Sequence, residues 1–352
     1  MLDTLACVQL IKRHAVAQQS LYAVQLQAAK ILWQRLLSDQ TLQERVQQKM
    51  RNVFMLPLDT LFRATQEIHR YSVCGIDGSQ IYPDRHEGFS EYLINIGTAH
   101  FTYSESSHAQ LQNSPYLFSG VHQGGMVTPE LVNSQRTEYE LMRAAEVAVQ
   151  SSETCIMVDG ALMFWHLQTP TMQELFLQKY LASLALIQKA QAVYMGYISA
   201  SHSREIIALL QTASEILGDP QTFDYLVDTD IMNFFLKPGQ YTQVFKTNSL
   251  ISALYPESLE PCFLYLNVGD EIARIELPAY CAFDTILRER CIQIVLDQNK
   301  KGNGYPVALS EAHEQAVVKA ADREFFYTLL RMQNQQTSTL SLKLSKKRSA
   351  AV

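Results

Sequence analysis

Cysteine is sparse and scattered: Cys7, Cys74, Cys155, Cys262, Cys281 and Cys291 include no C-x-x-C pair and no close Cys/His pair. That excludes a sequence-local zinc site and a disulfide framework, and leaves Cys74 and Cys155 as small core residues. Long apolar runs are missing too. None approaches the ~18 residues of a membrane span, and the N-terminus lacks the apolar block of a secretory signal, so a cytoplasmic protein without membrane contact is expected. Basic charge is in deficit, 29 Lys+Arg against 35 Asp+Glu for a net charge of −6. A general basic coat for nucleic acid is therefore excluded, and any hold on a phosphate backbone must come from a local groove. What remains is 352 residues, 47% of them hydrophobic, enough to bury one large or two ordinary cores.

Glycine and proline are absent from Asp3 to Arg51, where apolar residues recur at helical spacing through Leu21, Val24, Ala28, Ile31, Leu32 and Leu36. The spacing predicts a long helix interrupted at Ser38-Asp39, then a second one ending before Pro57. Residues 1–68 are read as an N-terminal helical arm. Such a stripe needs a cover, either a second protein surface or the chain's own sheet.

Two later segments share a pattern. In YSVCGIDGSQ, Val73 to Ile76 predict a short strand that ends at Asp77-Gly78-Ser79 as a turn; in TCIMVDGAL, Cys155 to Val158 predict a strand delivering Asp159 to a second Asp-Gly turn. A carboxylate at a strand end is held firmly by the sheet, which suits metal-assisted phosphoryl chemistry. Strands are also expected around Gln80–Tyr82 and over Glu91–Tyr103, making an antiparallel meander, whereas Ser104–Val127 reads as a polar surface loop. His86, His100, His108 and His122 have no partner at metal-binding spacing.

Between the two acids, Pro129 to Gln150 predicts a helix bearing Glu138, Glu140 and Glu146, with Arg136 one turn before Glu140. Downstream come a helix over Pro170–Ala190, a strand over Ala192–Ile198, a helix ending at Leu217, and a hairpin of Cys262–Val268 with Glu271–Leu277. Two closing helices, Phe283–Gln298 and Ser310–Arg331, are expected around the loop Lys300–Leu309. The alternation is that of an α/β fold. Residues 334–352 turn polar and basic and are expected to be disordered.

Taken together, GIDGSQ at Gly75–Gln80, R-x-x-x-E at Arg136–Glu140, VDGAL at Val158–Leu162 and GYPVALSEAHEQA at Gly304–Ala316 resemble the NurA family of DNA-end-processing nucleases. Weaker echoes lie at Tyr197–Leu210, Phe234–Phe245 and Ala273–Pro278, so the resemblance spans most of residues 69–333, read as a NurA nuclease domain. The resemblance implies an α/β fold with an RNase H-like mixed sheet flanked by helices and preceded by the N-terminal helical extension. It further implies a homodimer, manganese-dependent cleavage of DNA from 5′ ends, and work beside a HerA-type hexameric translocase in end resection or DNA defence. By position it carries over Asp77, Glu140, Asp159 and His313 as catalytic and metal-binding residues, with Glu138 a rival for the glutamate. Such a set of acids suits Mn²⁺ or Mg²⁺. Ala161 and Ala200 depart from the family pattern, the second where a basic residue is common.

Candidate DNA contacts are Arg136, Arg204, Arg274, Lys300 and Lys301, with Tyr305 placed to stack on a terminal base. Two other readings compete. A sugar-kinase or actin-like phosphotransferase also uses Asp-Gly turns, but the late Lys301–Pro306 segment fits its adenosine turn poorly. A non-catalytic adaptor of a DNA-translocating ATPase would have no reason to keep four converging polar groups.

Overall fold

In a computed structural model of the chain, residues 4–337 are described apart from 51–52, 59–61, 65–66, 85–87, 121–126, 168 and 248. Helix α1 (Thr4–Ser38) stops where Asp39 caps α2 (Gln40–Lys49), its carboxylate accepting from the Leu42 amide at 3.0 Å. A two-residue β1 (Phe62–Arg63) precedes the meander of β2 (Tyr71–Ile81), β3 (Glu91–Tyr103) and β4 (His108–Ser119). Helix α3 (Pro129–Gln150) starts on a Thr128 cap and leads to β5 (Thr154–Asp159). Then follow α4 (Pro170–Met172), a π-helical turn (Gln173–Leu177), α5 (Gln178–Lys189), β6 (Tyr194–Ile198), α6 (Glu205–Ile216) and α7 (Asp228–Phe235). Short β7 (Gln240–Tyr241) and β8 (Phe245–Lys246) precede the hairpin of β9 (Pro261–Asn267) and β10 (Ile272–Pro278). The described chain closes with α8 (Ala279–Ala282), α9 (Thr285–Lys301), α10 (Val307–Ala316) and α11 (Ala320–Thr337). None of the described helices is long and apolar enough to cross a membrane.

Among the described residues, all ten strands join one mixed sheet in the order β1-β7-β9-β10-β6-β5-β2-β3-β4, with β8 pairing β9. Strands β4, β3 and β2 are antiparallel neighbours, while β2, β5 and β6 run parallel. That five-strand order is the RNase H-like arrangement, and β10 and β9 extend it antiparallel. One face carries α3 and α5 over Cys74, Ile76 and Ile156; the opposite face carries α9 and α10 over Val73, Cys155 and Met157.

The second half of α1 and all of α2 lie on α6 and α7, where Leu32, Trp33, Leu36, Leu42 and Val46 share a core with Ile206, Leu210 and Ile231. Tyr22 reaches across to donate to Asp230 at 2.8 Å. From Tyr22 onward, this stripe covers helices of its own chain.

Three local expectations fail for physical reasons. Asp77-Gly78-Ser79 is no turn: β2 continues through it, paired Asp77↔Gly97, Gly78↔Ile96 and Ser79↔Asn95. Residues His108–Ser119 are not a loop but the outer strand β4, paired with β3 over its whole length; as an edge strand it is mostly exposed on both faces, so alternation is faint. The closing helix is two, because Val317 leaves the helical region at φ −56°, ψ 129° and separates α10 from α11. Residues 334–337 belong to α11, and the rest of the basic tail lies outside the described residues.

Candidate functional site

Strand β2 outruns its parallel neighbour. The β2/β5 register ends at Ile76↔Val158, so the next residues, Asp77 and Asp159, emerge side by side on the same face. Beyond them β5 stops and β2 continues, leaving a notch along the β2 edge. Asp159 is followed by Gly160 at φ +114°, a left-handed turn that only glycine adopts without strain.

Two glycines then bring a helix onto the acids. A Cβ on Gly75 would stand 2.0 Å from the Ala308 carbonyl oxygen, and one on Gly97 would stand 2.3 Å from that of Ala312, so α10 rests directly on β2 and β3. The end of α10 is pinned by Ser79 Oγ and Asn95 Nδ2, which donate to the Ala316 carbonyl at 2.5 and 2.8 Å. This seating puts His313 Nδ1 2.8 Å from Asp77 Oδ2, while the Gly78 amide donates to Asp77 Oδ1 at 2.8 Å. An ionised carboxylate only accepts, so Nδ1 is the donor in this contact, on a ring that is 59% exposed.

Gly78 works on the opposite face. A Cβ there would stand 2.4 Å from Glu140 Oε1 and 2.7 Å from Arg136 Cγ, so the missing side chain is the space that α3 fills with its Arg136–Glu140 pair. Arg136 Nε lies 3.3 Å from Glu140 Oε1 without a hydrogen-bond partner, and Arg136 Nη1 donates to Gln80 Oε1 at 3.0 Å. Glu138 points elsewhere, to Lys179 on α5 at 3.0 Å. The two glutamates that the sequence left undecided thus separate, with Glu140 at the notch.

The charges feel one another. Burial pushes the Glu140 carboxyl up to about 7 against the pull of Arg136, and Asp77 and Asp159 push it further in the same direction. Asp159, exposed by area at the strand end, is also raised, first by desolvation from its surroundings and then by Asp77; a hydrogen bond from Tyr305 and the nearness of His313 act against that rise. Burial and the same Asp159 carboxylate hold the Tyr305 phenol above its ordinary value.

The structure therefore gathers Asp77, Glu140, Asp159 and His313 around one notch. As the side chains stand, no three His, Cys, Asp or Glu among the described residues form a ready ligand set. Each group is instead engaged within the chain: Asp77 with His313, Glu140 with Arg136, Asp159 with Tyr305. The donor chemistry nonetheless fits a hard divalent cation. Burial raises two of the three carboxyls and the neighbouring acids add to the rise, a concentration of negative charge that such an ion relieves.

The expected DNA contacts are dispersed. Arg274 is a correction: its side chain is 4% exposed, paired with Glu205 and Glu276 and stacked 3.8 Å from the Phe263 ring centroid, so no phosphate can reach it. Arg204 is exposed but donates to the Phe223 carbonyl at 2.9 Å. Lys300 is 76% exposed and lies 3.7 Å from Glu67. Lys301 pairs with Asp297 and lies 4.2 Å from the Tyr103 ring centroid. Tyr305 meets Asp159 and sets its ring edge-on to Tyr197 rather than standing free to stack on a base. Sequence reasoning missed the seats at Gly75 and Gly97. Glycine inside a strand pattern was the available signal, since it can mark a close approach of another backbone.

The described strands define an RNase H-like fold, with Asp77 and Asp159 just past the last paired residues of its central parallel strands β2 and β5. The family model for the NurA domain matches residues 71–318, and the chain belongs to that family. The crystal structure of the NurA nuclease from Sulfolobus solfataricus superposes with a TM-score of 0.58 at 12% identity, covering 97% of this chain and 100% of that one. A second NurA crystal structure matches at TM-score 0.41 and 10% identity over 83% of this chain and 95% of that one. Thermus thermophilus RuvC matches at TM-score 0.19 and 12% identity, over 43% of this chain and 98% of that one. No curated protein sequence matches the chain.

Proposed function

We propose that the chain is a divalent-metal-dependent DNA nuclease in which Asp77, Glu140 and Asp159 hold Mn²⁺ or Mg²⁺, joined by His313. The observation that carries this reading is the emergence of Asp77 and Asp159 side by side from adjoining parallel strands, with Glu140 electrostatically coupled to both. When bound, the ion supplies Lewis-acid polarisation and neutralises the charge that protects a phosphodiester. The chain's own groups do the rest. Asp77 fixes the His313 ring by accepting from Nδ1, which leaves Nε2 as the nitrogen that would join the carboxylates in the ion's shell. Burial raises both Asp159 and Glu140; Tyr305 works against that rise at Asp159 and Arg136 at Glu140, each favouring the ionised form that a cation needs.

The finer parts rest on family membership: processing of DNA from 5′ ends, a homodimer in the cytoplasm, and a HerA-type hexameric ATPase that feeds DNA in during end resection or defence. Of the candidate DNA contacts, Lys300 and Arg204 are exposed, which supports their meeting backbone phosphates. The test is incubation of a 5′-labelled duplex with Mn²⁺, with and without the hexameric ATPase. Cleavage that chelation abolishes supports the reading; an intact duplex in both arms leaves a non-catalytic adaptor.

A further inference from the structure

Arg274 and Glu276 form a buried ion pair directly behind the turn that follows Asp159, each side chain 4% exposed. Glu276 Oε1 accepts from Arg274 Nε at 2.9 Å, and its other oxygen accepts from the Leu162 backbone amide at 2.8 Å. The arrangement depends on β6. Glu276 pairs with Gly196, which in turn pairs with Val158, so all three point to the same face of the sheet. A Cβ on Gly196 would stand 2.3 Å from the Gly160 carbonyl oxygen and 3.2 Å from Leu162 Cδ2. The Gly160–Leu162 turn therefore lies flat across Gly196, and that lets its amide reach Glu276.

Buried ion pairs of this kind are weak sources of stability, because desolvation offsets their attraction. What this one does locally is hold a backbone. Together with the Gly160 amide donating to the Tyr197 carbonyl at 2.9 Å, and Tyr255, whose hydroxyl donates to the Leu162 carbonyl at 2.9 Å, it fixes the three residues after Asp159. The opposite end of the pair is anchored as well, with Arg274 bonded to Glu205 at the start of α6 and stacked on Phe263.

We infer that Glu276, oriented by Arg274, is a positioning residue for Asp159: it acts through the Leu162 amide to hold the Asp159 carboxylate where a divalent cation binds. This builds on the reading of Asp159 as a metal ligand. Outer partners of ligands commonly govern metal affinity by 10- to 100-fold.

The test is Mn²⁺ binding by isothermal titration calorimetry on the full chain, run beside the duplex-cleavage assay. Gly196→Ala keeps every charge in place and pushes the turn off Glu276; Mn²⁺ affinity is expected to fall about tenfold or more. In Glu276→Gln the single amide oxygen cannot serve both Arg274 and the Leu162 amide, so affinity also falls. Adding Arg274→Met frees that oxygen for Leu162 and is expected to restore affinity to within about threefold while leaving the protein less resistant to urea, a split that a general loss of stability would not give. Wild-type affinity in Gly196→Ala overturns the inference, as does a wild-type chain that binds no Mn²⁺. A wild type that binds Mn²⁺ but leaves DNA intact refutes the nuclease reading instead, and the positioning role is then judged on binding alone.

Discussion

Neutralising Glu140 is expected to stabilise the metal-free protein while destroying its proposed activity. The carboxyl is held at about 7 rather than the ordinary 4.5, in a side chain 21% exposed. An acid whose value is raised on folding binds its proton more tightly in the native state. Its stabilising effect is complete below pH 4.5, declines as pH rises to about 7, and is absent above that. A rise of about 2.5 pH units at 1.36 kcal/mol each makes the ionised group an upper cost of about 3 kcal/mol at pH 8. Glu140→Gln keeps an acceptor for Arg136 and cannot ionise. It should therefore match the wild type at pH 4.5 and exceed it at pH 8 by up to about 3 kcal/mol.

The measurement is urea unfolding of both proteins at matched pH, with the m value checked to be common to the pair. Comparing the two proteins removes other titrating groups, such as buried Asp228, raised to about 6, and His100 and His166, both lowered by burial. Adding Mn²⁺ at pH 8 should stabilise the wild type and have far less effect on the variant. A Glu140→Gln protein that is no more stable than wild type at pH 8, or that has the same pH slope, would refute the claim that burial beside two other acids holds Glu140 at about 7.

Further outcomes follow from the same geometry. Asp77→Asn should abolish Mn²⁺-dependent cleavage of a 5′-labelled duplex, and equal rates would remove Asp77 from the centre. Gly78→Ala drives a methyl into Glu140 Oε1 at 2.4 Å and should cut the cleavage rate about tenfold or more while circular dichroism shows a folded chain. Tyr305→Phe removes the bond that lowers Asp159, so the acid limb of the pH–rate profile should move to higher pH. Arg274→Ala should destabilise by about 3–5 kcal/mol in urea, as breaking a buried pair does, and leave the salt dependence of DNA binding unchanged.

Much of this architecture was legible from periodicity and turn chemistry. The boundaries of α3 and the β9/β10 hairpin follow from apolar spacing, Pro129 and a Gly269-Asp270 turn, all local features. What failed depended on partners far along the chain. Asp77-Gly78 has the composition of a turn, but Gly78 is a glycine because Arg136 and Glu140, about sixty residues later, occupy the space of its side chain. Local sequence holds no record of that approach.

The pair Arg274 and Glu276 failed in the opposite direction. In ARIELP, charged residues alternate with apolar ones, the pattern of a strand with one wet face, and a wet face is what Arg274 as a candidate DNA contact requires. The charged face is instead the one beneath α6, where Glu205, Tyr265 and the Leu162 amide complete its bonds. Alternation tells which residues share a face; only the neighbouring layer decides whether that face is wet. Both failures fall at the carboxylates, because there the chain places polar groups and glycines to meet distant partners rather than solvent or a local turn.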